Sequence, residues 1–168
     1  NDVLKNCFTQ EHNFLIYKDA KDLTGFRDNT EFLKISETSV DFYWATVVYF
    51  KKSKEVETFF NLTQHIQDNW QHYNSIFQIN KATFRNDWVF SIAIHIMNGY
   101  QTGSFASSLP GKKYYTADRD ILWELNDDNF LFLLEKEGHL GEYTPLRIKG
   151  SSVHVMNKFS LNRIIDND

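Results

Sequence analysis

Trp44-Ala45-Thr46-Val47-Val48-Tyr49-Phe50, followed by Lys51-Lys52-Ser53-Lys54, decides the fold class of this chain. The first run is β-branched and aromatic and is apolar on both faces, which predicts a central strand covered on each side. Ser53 then suits a helix N-cap. Glu55 and Glu57 fall in the first turn, where carboxylates face the positive end of the helix dipole. A helix is predicted over residues 54–73, because Val56, Phe59, Phe60, Ile66, Trp70 and Tyr73 recur at helical spacing. Its apolar face is expected to bury Phe59, Ile66 and Trp70 against the Trp44–Phe50 strand. A strand feeding an amphipathic helix is an α/β signature.

Upstream, Phe14-Leu15-Ile16-Tyr17 reads as a short buried strand, and Val3-Leu4-Lys5-Asn6-Cys7-Phe8 as a short buried helical turn. Residues 18–40 are polar and read as a long surface excursion, which in a compact domain is functional or disordered. Downstream, a helix over residues 87–98 is apolar nearly all round, predicts burial, and stops at Gly99. Residues 101–113, rich in Ser and Gly and carrying Pro110, read as a mobile loop. Residues 121–125 and 130–135 read as two strands joined by the polar turn 126–129. Residues 146–149 and 153–156 read as another pair around Gly150. A last short helix is predicted over residues 161–165.

The length of 168 residues fits one ordinary domain. Net charge is 18 − 22 = −4, and the basic groups Lys51-Lys52-Ser53-Lys54 and Lys112-Lys113 are short. A phosphate backbone needs clustered Lys and Arg, so nucleic acid is set aside as a partner. The single cysteine, Cys7, excludes an intramolecular disulfide and fits a reducing compartment. No signal peptide or membrane span is visible, so the expected location is cytoplasmic, or the host cytoplasm if the chain is viral. Aromatic residues reach 16%; so many rings must be buried or form a stacking surface for a ring-shaped ligand.

Two motifs carry candidate chemistry. In Phe84-Arg85-Asn86-Asp87-Trp88, Asn86 or Asp87 at a helix start is first of all a capping residue. Alternatively Arg85 and Asp87 project into a cleft, where an Asp accepts hydrogen bonds from sugar hydroxyls and an Arg pairs with a phosphate or with that Asp. In Val153-His154-Val155-Met156-Asn157-Lys158, His154 points away from its Val neighbours. It is either a hydrogen-bonded structural residue or a metal ligand, with Lys158 nearby to neutralise a phosphate. Asp118, Asp120, Asp127 and Asp128 read as a solvated turn region. The order of the sequence holds no HExxH, CxxC, Walker, GxGxxG or GxSxG pattern, so no nucleophile motif supports a hydrolase.

Taken in order, these stretches resemble GT-A-fold glycosyltransferases of the glycogenin-like kind and uncharacterised phage-like proteins of the same type. Residues Asn1-Asp2-Val3-Leu4 through Phe8 resemble the segment that follows the family's metal-binding Asp-x-Asp motif. Tyr43 through Ser53 resembles the next strand and its exit to a helix. Phe84-Arg85-Asn86-Asp87-Trp88 resembles the element lining the sugar pocket, and Val153 through Lys158 the late strand whose His completes the metal site. The likeness covers most of residues 1–98 and 150–160 and is weak between them. The Asp-x-Asp half is absent, and the chain starts at Asn1 rather than Met. It is therefore expected to be a fragment, the acceptor-side half, inert by itself.

The resemblance implies a partial GT-A-like α/β fold in a single domain, 1–168, with a mixed sheet, two packed helices and a β-rich C-terminal part. It implies transfer of a hexose from a nucleotide diphosphate sugar to an acceptor hydroxyl, with a divalent metal (manganese or magnesium) as Lewis acid. Asp87, held by Arg85, would orient the donor sugar. Trp44 would sit near the pocket or in the core. His154 would complete the metal site, and Lys158 would offset diphosphate charge. The rival expectation is a non-catalytic interaction or virion-associated structural module, which uses the same aromatic core and needs no metal.

Overall fold

The structure, a computed structural model, describes residues 2–25, 33–35, 40–79 and 83–166. It is a mixed α/β fold with parallel and antiparallel sheets and packed helices, divided into two compact units. The first comprises Asn1–Asp19 and Asn29–Pro110; the second comprises Ala20–Asp28 and Gly111–Asp168. Among the described residues, no helix is long and apolar enough to cross a membrane.

In the first unit, helix α1 (Asp2–Phe8) precedes strand β1 (Phe14–Tyr17), whose four residues are all buried. A later strand, Trp44–Phe50, pairs antiparallel with β1, Phe14 opposite Phe50. It is not the doubly covered strand that its composition predicts. Val47 and Phe50 are each 47% exposed, and β1 is the interior one. The reason is a third partner on the far side of β1. Ser107 donates its N–H to the Phe14 carbonyl at 3.0 Å, and Ile16 donates to the Ser107 carbonyl at 3.0 Å. Part of the expected mobile loop is thus docked as a ladder, and Leu109 is buried with it.

Helix α2 (Lys54–Asp68) starts where expected, with the Ser53 hydroxyl accepting the Val56 N–H at 3.2 Å. The helix predicted over 54–73 is broken at Asn69, and α3 (Trp70–Ile76) follows. The Asn69 side-chain amide donates to the His65 carbonyl at 2.9 Å. Such a side chain competes with the backbone ladder and favours an interruption. Phe59 and Ile66 are fully buried as predicted, but their helix packs on helix α4 (Asn86–Met97) rather than on the Trp44–Phe50 strand. Phe59 meets Phe14 at 4.5 Å between centroids, Phe90 at 5.3 Å and, stacked, Phe105 at 5.2 Å. Trp70 is half-buried and stacks on Trp88 at 5.8 Å.

The expected polar excursion over 18–40 lies partly outside the described residues. Its described part contributes strand β2 (Lys21–Asp22) to the second unit, with Leu23 in that unit's core. In chain order the Trp44–Phe50 strand is β3, and β4 (Lys113–Tyr115) and β8 (Ser152–His154) complete a parallel sheet ordered β2-β4-β8. An antiparallel sheet comprises β5 (Ile121–Asn126), β6 (Asn129–Glu135) and β7 (Tyr143–Lys149). Its first hairpin turns through Asp127 at φ 52°, a left-handed geometry that Asp tolerates. The strands around Gly150 do not pair with each other: β7 joins β6, and β8 joins β4. Helix α5 (Lys158–Ile165) begins earlier than predicted, because the Asn157 carboxamide accepts the Ser160 N–H at 3.0 Å and caps it.

Asp120 corrects the reading of its stretch as a solvated turn. It is 0% exposed, and it accepts the Ala117 N–H at 2.7 Å and the Glu135 N–H at 3.2 Å. A buried carboxylate is tolerated when its oxygens are hydrogen-bonded.

Two stability changes follow. Phe59→Ala should cost about 3–5 kcal/mol in urea melts, as for other buried aromatics; a loss below about 1 kcal/mol would mean that the ring is not core. Asp120→Ala orphans two buried N–H groups and should cost roughly 1–3 kcal/mol for each. A near-neutral Asp120→Ala would show that those donors find other partners.

Candidate functional site

Beyond its first residue, Asn86, helix α4 is apolar except for a line of polar side chains, Asp87, Ser91 and His95, spaced four apart and so stacked on one face. Arg85 is its N-cap residue, and its side chain makes no capping bond. Asp87, in the first turn, does not cap either. One oxygen accepts the Ala45 N–H of β3 at 2.8 Å, and the other accepts Arg85 Nη2 at 2.7 Å and Nε at 3.2 Å. The Arg85 guanidinium also lies 5.6 Å from the Trp88 ring centre and 5.8 Å from that of Phe42. Planar guanidinium groups favour such stacking. Trp44 is 1% exposed, edge-on to Phe42 at 5.4 Å, so the structure places it in the core of the first unit.

One turn further along α4, the Ser91 hydroxyl accepts the Tyr43 N–H at 2.8 Å and donates to the Asp87 carbonyl at 2.6 Å. Beyond Ser91 the helix and the residues before β3 part, leaving a cleft of about 280 Å³. Asp41, Tyr43, Ser91, His95, Asn98 and Tyr100 line it. Sequence reasoning missed these residues, although the polar line on an otherwise apolar helix was a legible signal for them.

The helix end shapes the cleft. Gly99, at φ 71°, donates to the Ile96 carbonyl at 2.9 Å, and Tyr100 donates to that of His95 at 2.9 Å. These are the two bonds of a Schellman termination, with a ring contact between Tyr100 and His95 at 5.8 Å. The Asn98 side-chain oxygen accepts the Phe105 N–H at 3.0 Å. A Cβ on Gly103 would come within 2.8 Å of the Asn98 Cβ, so glycine is required there.

Charge in the cleft is compensated. Asp41 pairs with Lys18 at 2.6 Å and also with Lys34. Burial alone would raise the Asp41 carboxyl, but the two ammonium groups outweigh it and hold the group below the usual carboxylate range. The Asp41 hydrogen bond in turn raises the Lys18 ammonium. Burial raises the Tyr43 phenol, and burial lowers the His95 imidazole against the pull of Asp41. His95 is accordingly neutral near pH 7, with one donor and one acceptor nitrogen.

In the second unit, His154 ends β8 and is half-buried, and its carbonyl accepts the Thr116 N–H at 3.1 Å. Lys158 is exposed at the first position of α5 and donates from Nζ to the Val155 carbonyl at 2.5 Å. Among the described residues no group of three or more His, Cys, Asp or Glu converges as a metal site. His154 does not by itself make one. Cys7 is buried, which raises its thiol and leaves it a poor nucleophile.

Asp41 generates a pH test. Its folded pKa is depressed, so its contribution to stability is present above the unfolded value, about 3.9, and is lost as pH falls through the folded one. Urea midpoints should drop on acidification below about pH 4 in the wild type. In Asp41→Asn that part of the acid loss should be missing. An identical acid limb in both proteins would show that Asp41 is not held as an ion.

No family model, curated protein or solved structure matches this chain.

Proposed function

We propose that this chain is the acceptor-side part of a GT-A-like glycosyltransferase, which moves a hexose from a nucleotide diphosphate sugar to an acceptor hydroxyl. The observation that carries the reading is the Arg85–Asp87 pair, fixed between the start of α4 and the start of β3, one helical turn before Ser91, where the lining of a polar cleft begins. Support also comes from the ordered resemblance of the stretches around Tyr43, Arg85 and His154 to that family. Asp87 offers about four acceptor positions on its two oxygens. Three hydrogen bonds occupy it in the structure, from Ala45 and from two nitrogens of Arg85. One lone pair remains to accept a sugar hydroxyl, and Arg85 keeps the carboxylate in one orientation. In the reaction, the acceptor oxygen bonds to the anomeric carbon and the bond to the diphosphate oxygen breaks. The diphosphate leaves with the electron pair, and the acceptor proton passes to a base or to the leaving group.

His154 as one metal ligand, Lys158 beside the diphosphate and manganese or magnesium as the ion belong to this proposal. Among the described residues no complete ligand set converges, so the ion would need further ligands beyond His154. A second reading, a non-catalytic interaction module, is favoured by one observation: the three hydrogen bonds that Asp87 accepts all come from groups of the first unit and suffice as a structural tie.

Turnover of the natural full-length protein with nucleotide sugars separates the two. Asp87→Asn should lower turnover on the order of 100-fold, as misplaced substrates do. It should also cost about 1.5–3 kcal/mol of stability for the weakened charged bond. Loss of stability with unchanged turnover would make Asp87 a structural tie within a transferase, whereas no turnover of any nucleotide sugar by the wild type would favour the non-catalytic module. His154→Ala in the same protein should weaken manganese binding; an unchanged titration would remove His154 from any metal site.

A further inference from the structure

The cleft beyond Ser91 is not used by the Arg85–Asp87 pair, and its chemistry is specific. Among the described residues, the Tyr43 hydroxyl and both His95 ring nitrogens make no hydrogen bond within the chain, although both side chains face the cleft. The Asn98 oxygen is taken by Phe105, leaving its amide N–H groups for a ligand. Asp41 is neutralised by its lysines. The free groups are therefore mixed donors and acceptors, with no uncompensated negative charge. That is the complement of a ligand whose polar groups are neutral hydroxyls, each of which both donates and accepts.

Size and shape narrow the class further. The cleft, about 280 Å³, sits just under the usual range of roughly 300–1,000 Å³ for ligand sites. Its enclosed part has room for a single six-membered ring. Tyr100 stands at its rim, 67% exposed, at φ 64°. Left-handed backbone is uncommon for a non-glycine residue, and here it carries the chain on from the helix termination at Gly99. The Schellman termination fixes the backbone of Tyr100, and its ring meets His95 at a right angle while staying exposed, so it can take the C–H face of a sugar ring.

We propose that this cleft is a subsite for one neutral pyranose ring, stacked on Tyr100 and hydrogen-bonded by Tyr43, His95 and Asn98. Its binding chemistry stands on the cleft alone. Its role, as the seat of a sugar acceptor, rests on the transferase reading and specifies that the acceptor hydroxyl belongs to a saccharide.

The test is ligand-observed NMR on the natural full-length protein with methyl glucoside, methyl galactoside and methyl mannoside, and with sorbitol as the open-chain control. At least one methyl glycoside should bind, and sorbitol should not. Tyr100→Asn keeps the left-handed backbone, which Asn tolerates, and should weaken binding about tenfold. His95→Phe preserves the ring contacts and removes both nitrogens, and should weaken it similarly. The bound glycoside should also accept sugar from a nucleotide-sugar donor. No binding of any glycoside, or binding indifferent to both variants, overturns the subsite. Transfer to non-sugar acceptors without glycoside binding overturns the subsite while sparing the transferase reading. Glycoside binding that the variants weaken, with no turnover on any acceptor, keeps the subsite and overturns its acceptor role.

Discussion

Backbone N–H groups along the margin of a strand must be paired with something, because a buried unpaired donor costs about as much as a lost hydrogen bond. In the first unit, β3 pairs with β1 along one side. On the other side two side chains of α4 do the work of a neighbouring strand: Asp87 accepts the Ala45 N–H and Ser91 accepts the Tyr43 N–H. The 3.6-residue repeat of the helix puts positions 87, 91 and 95 in a row, and the two-residue repeat of extended backbone puts 45, 43 and 41 opposite them. The first two pairs are closed by hydrogen bonds. At the third, His95 and Asp41 make none to each other, and the cleft begins.

This arrangement explains why an apolar helix keeps polar residues on one line. Asp87 also draws in Arg85, whose guanidinium lies over Phe42 and Trp88 and so ties the charged pair to the aromatic core. The aromatic cluster of Phe14, Phe59, Phe90 and Phe105 fixes α2 and α4 on β1, while the polar line fixes α4 on β3. One helix is thus located by apolar packing on one face and by hydrogen bonds on another. The site candidates Arg85 and Asp87 are positioned by the same bonds that give the unit its stability.

Local chemistry made much of this legible in the sequence. The strands at Phe14 and Trp44, the Ser53 cap, the apolar α4 and its end at Gly99 all follow from residue type and spacing. What could not be read was pairing at a distance. Composition marks Trp44–Phe50 as a strand, but the interior strand is chosen by residues near Ser107, which carry turn-like chemistry and no strand signal. The burial of Asp120 depends on two backbone donors, one of them 15 residues away. Of the site, Arg85 and Asp87 were visible as a motif, whereas Tyr43 and Asp41 join it only because β3 runs beside α4. His154 was read from strand alternation and from the family resemblance, and its neighbours across the parallel sheet carry no pattern that spacing reveals.

The bonds from α4 to the edge of β3 hold this arrangement together, and residue-resolved amide hydrogen exchange measures them directly. The Ala45 and Tyr43 amides should be protected to the level of the Ile16 amide in β1, and Ser91→Ala should release Tyr43 far more than Ala45. Fast exchange at both amides in the wild type, with Ile16 still protected, would contradict the account: α4 would not hold β3, and neither the Arg85–Asp87 pair nor the cleft would have the geometry on which they depend.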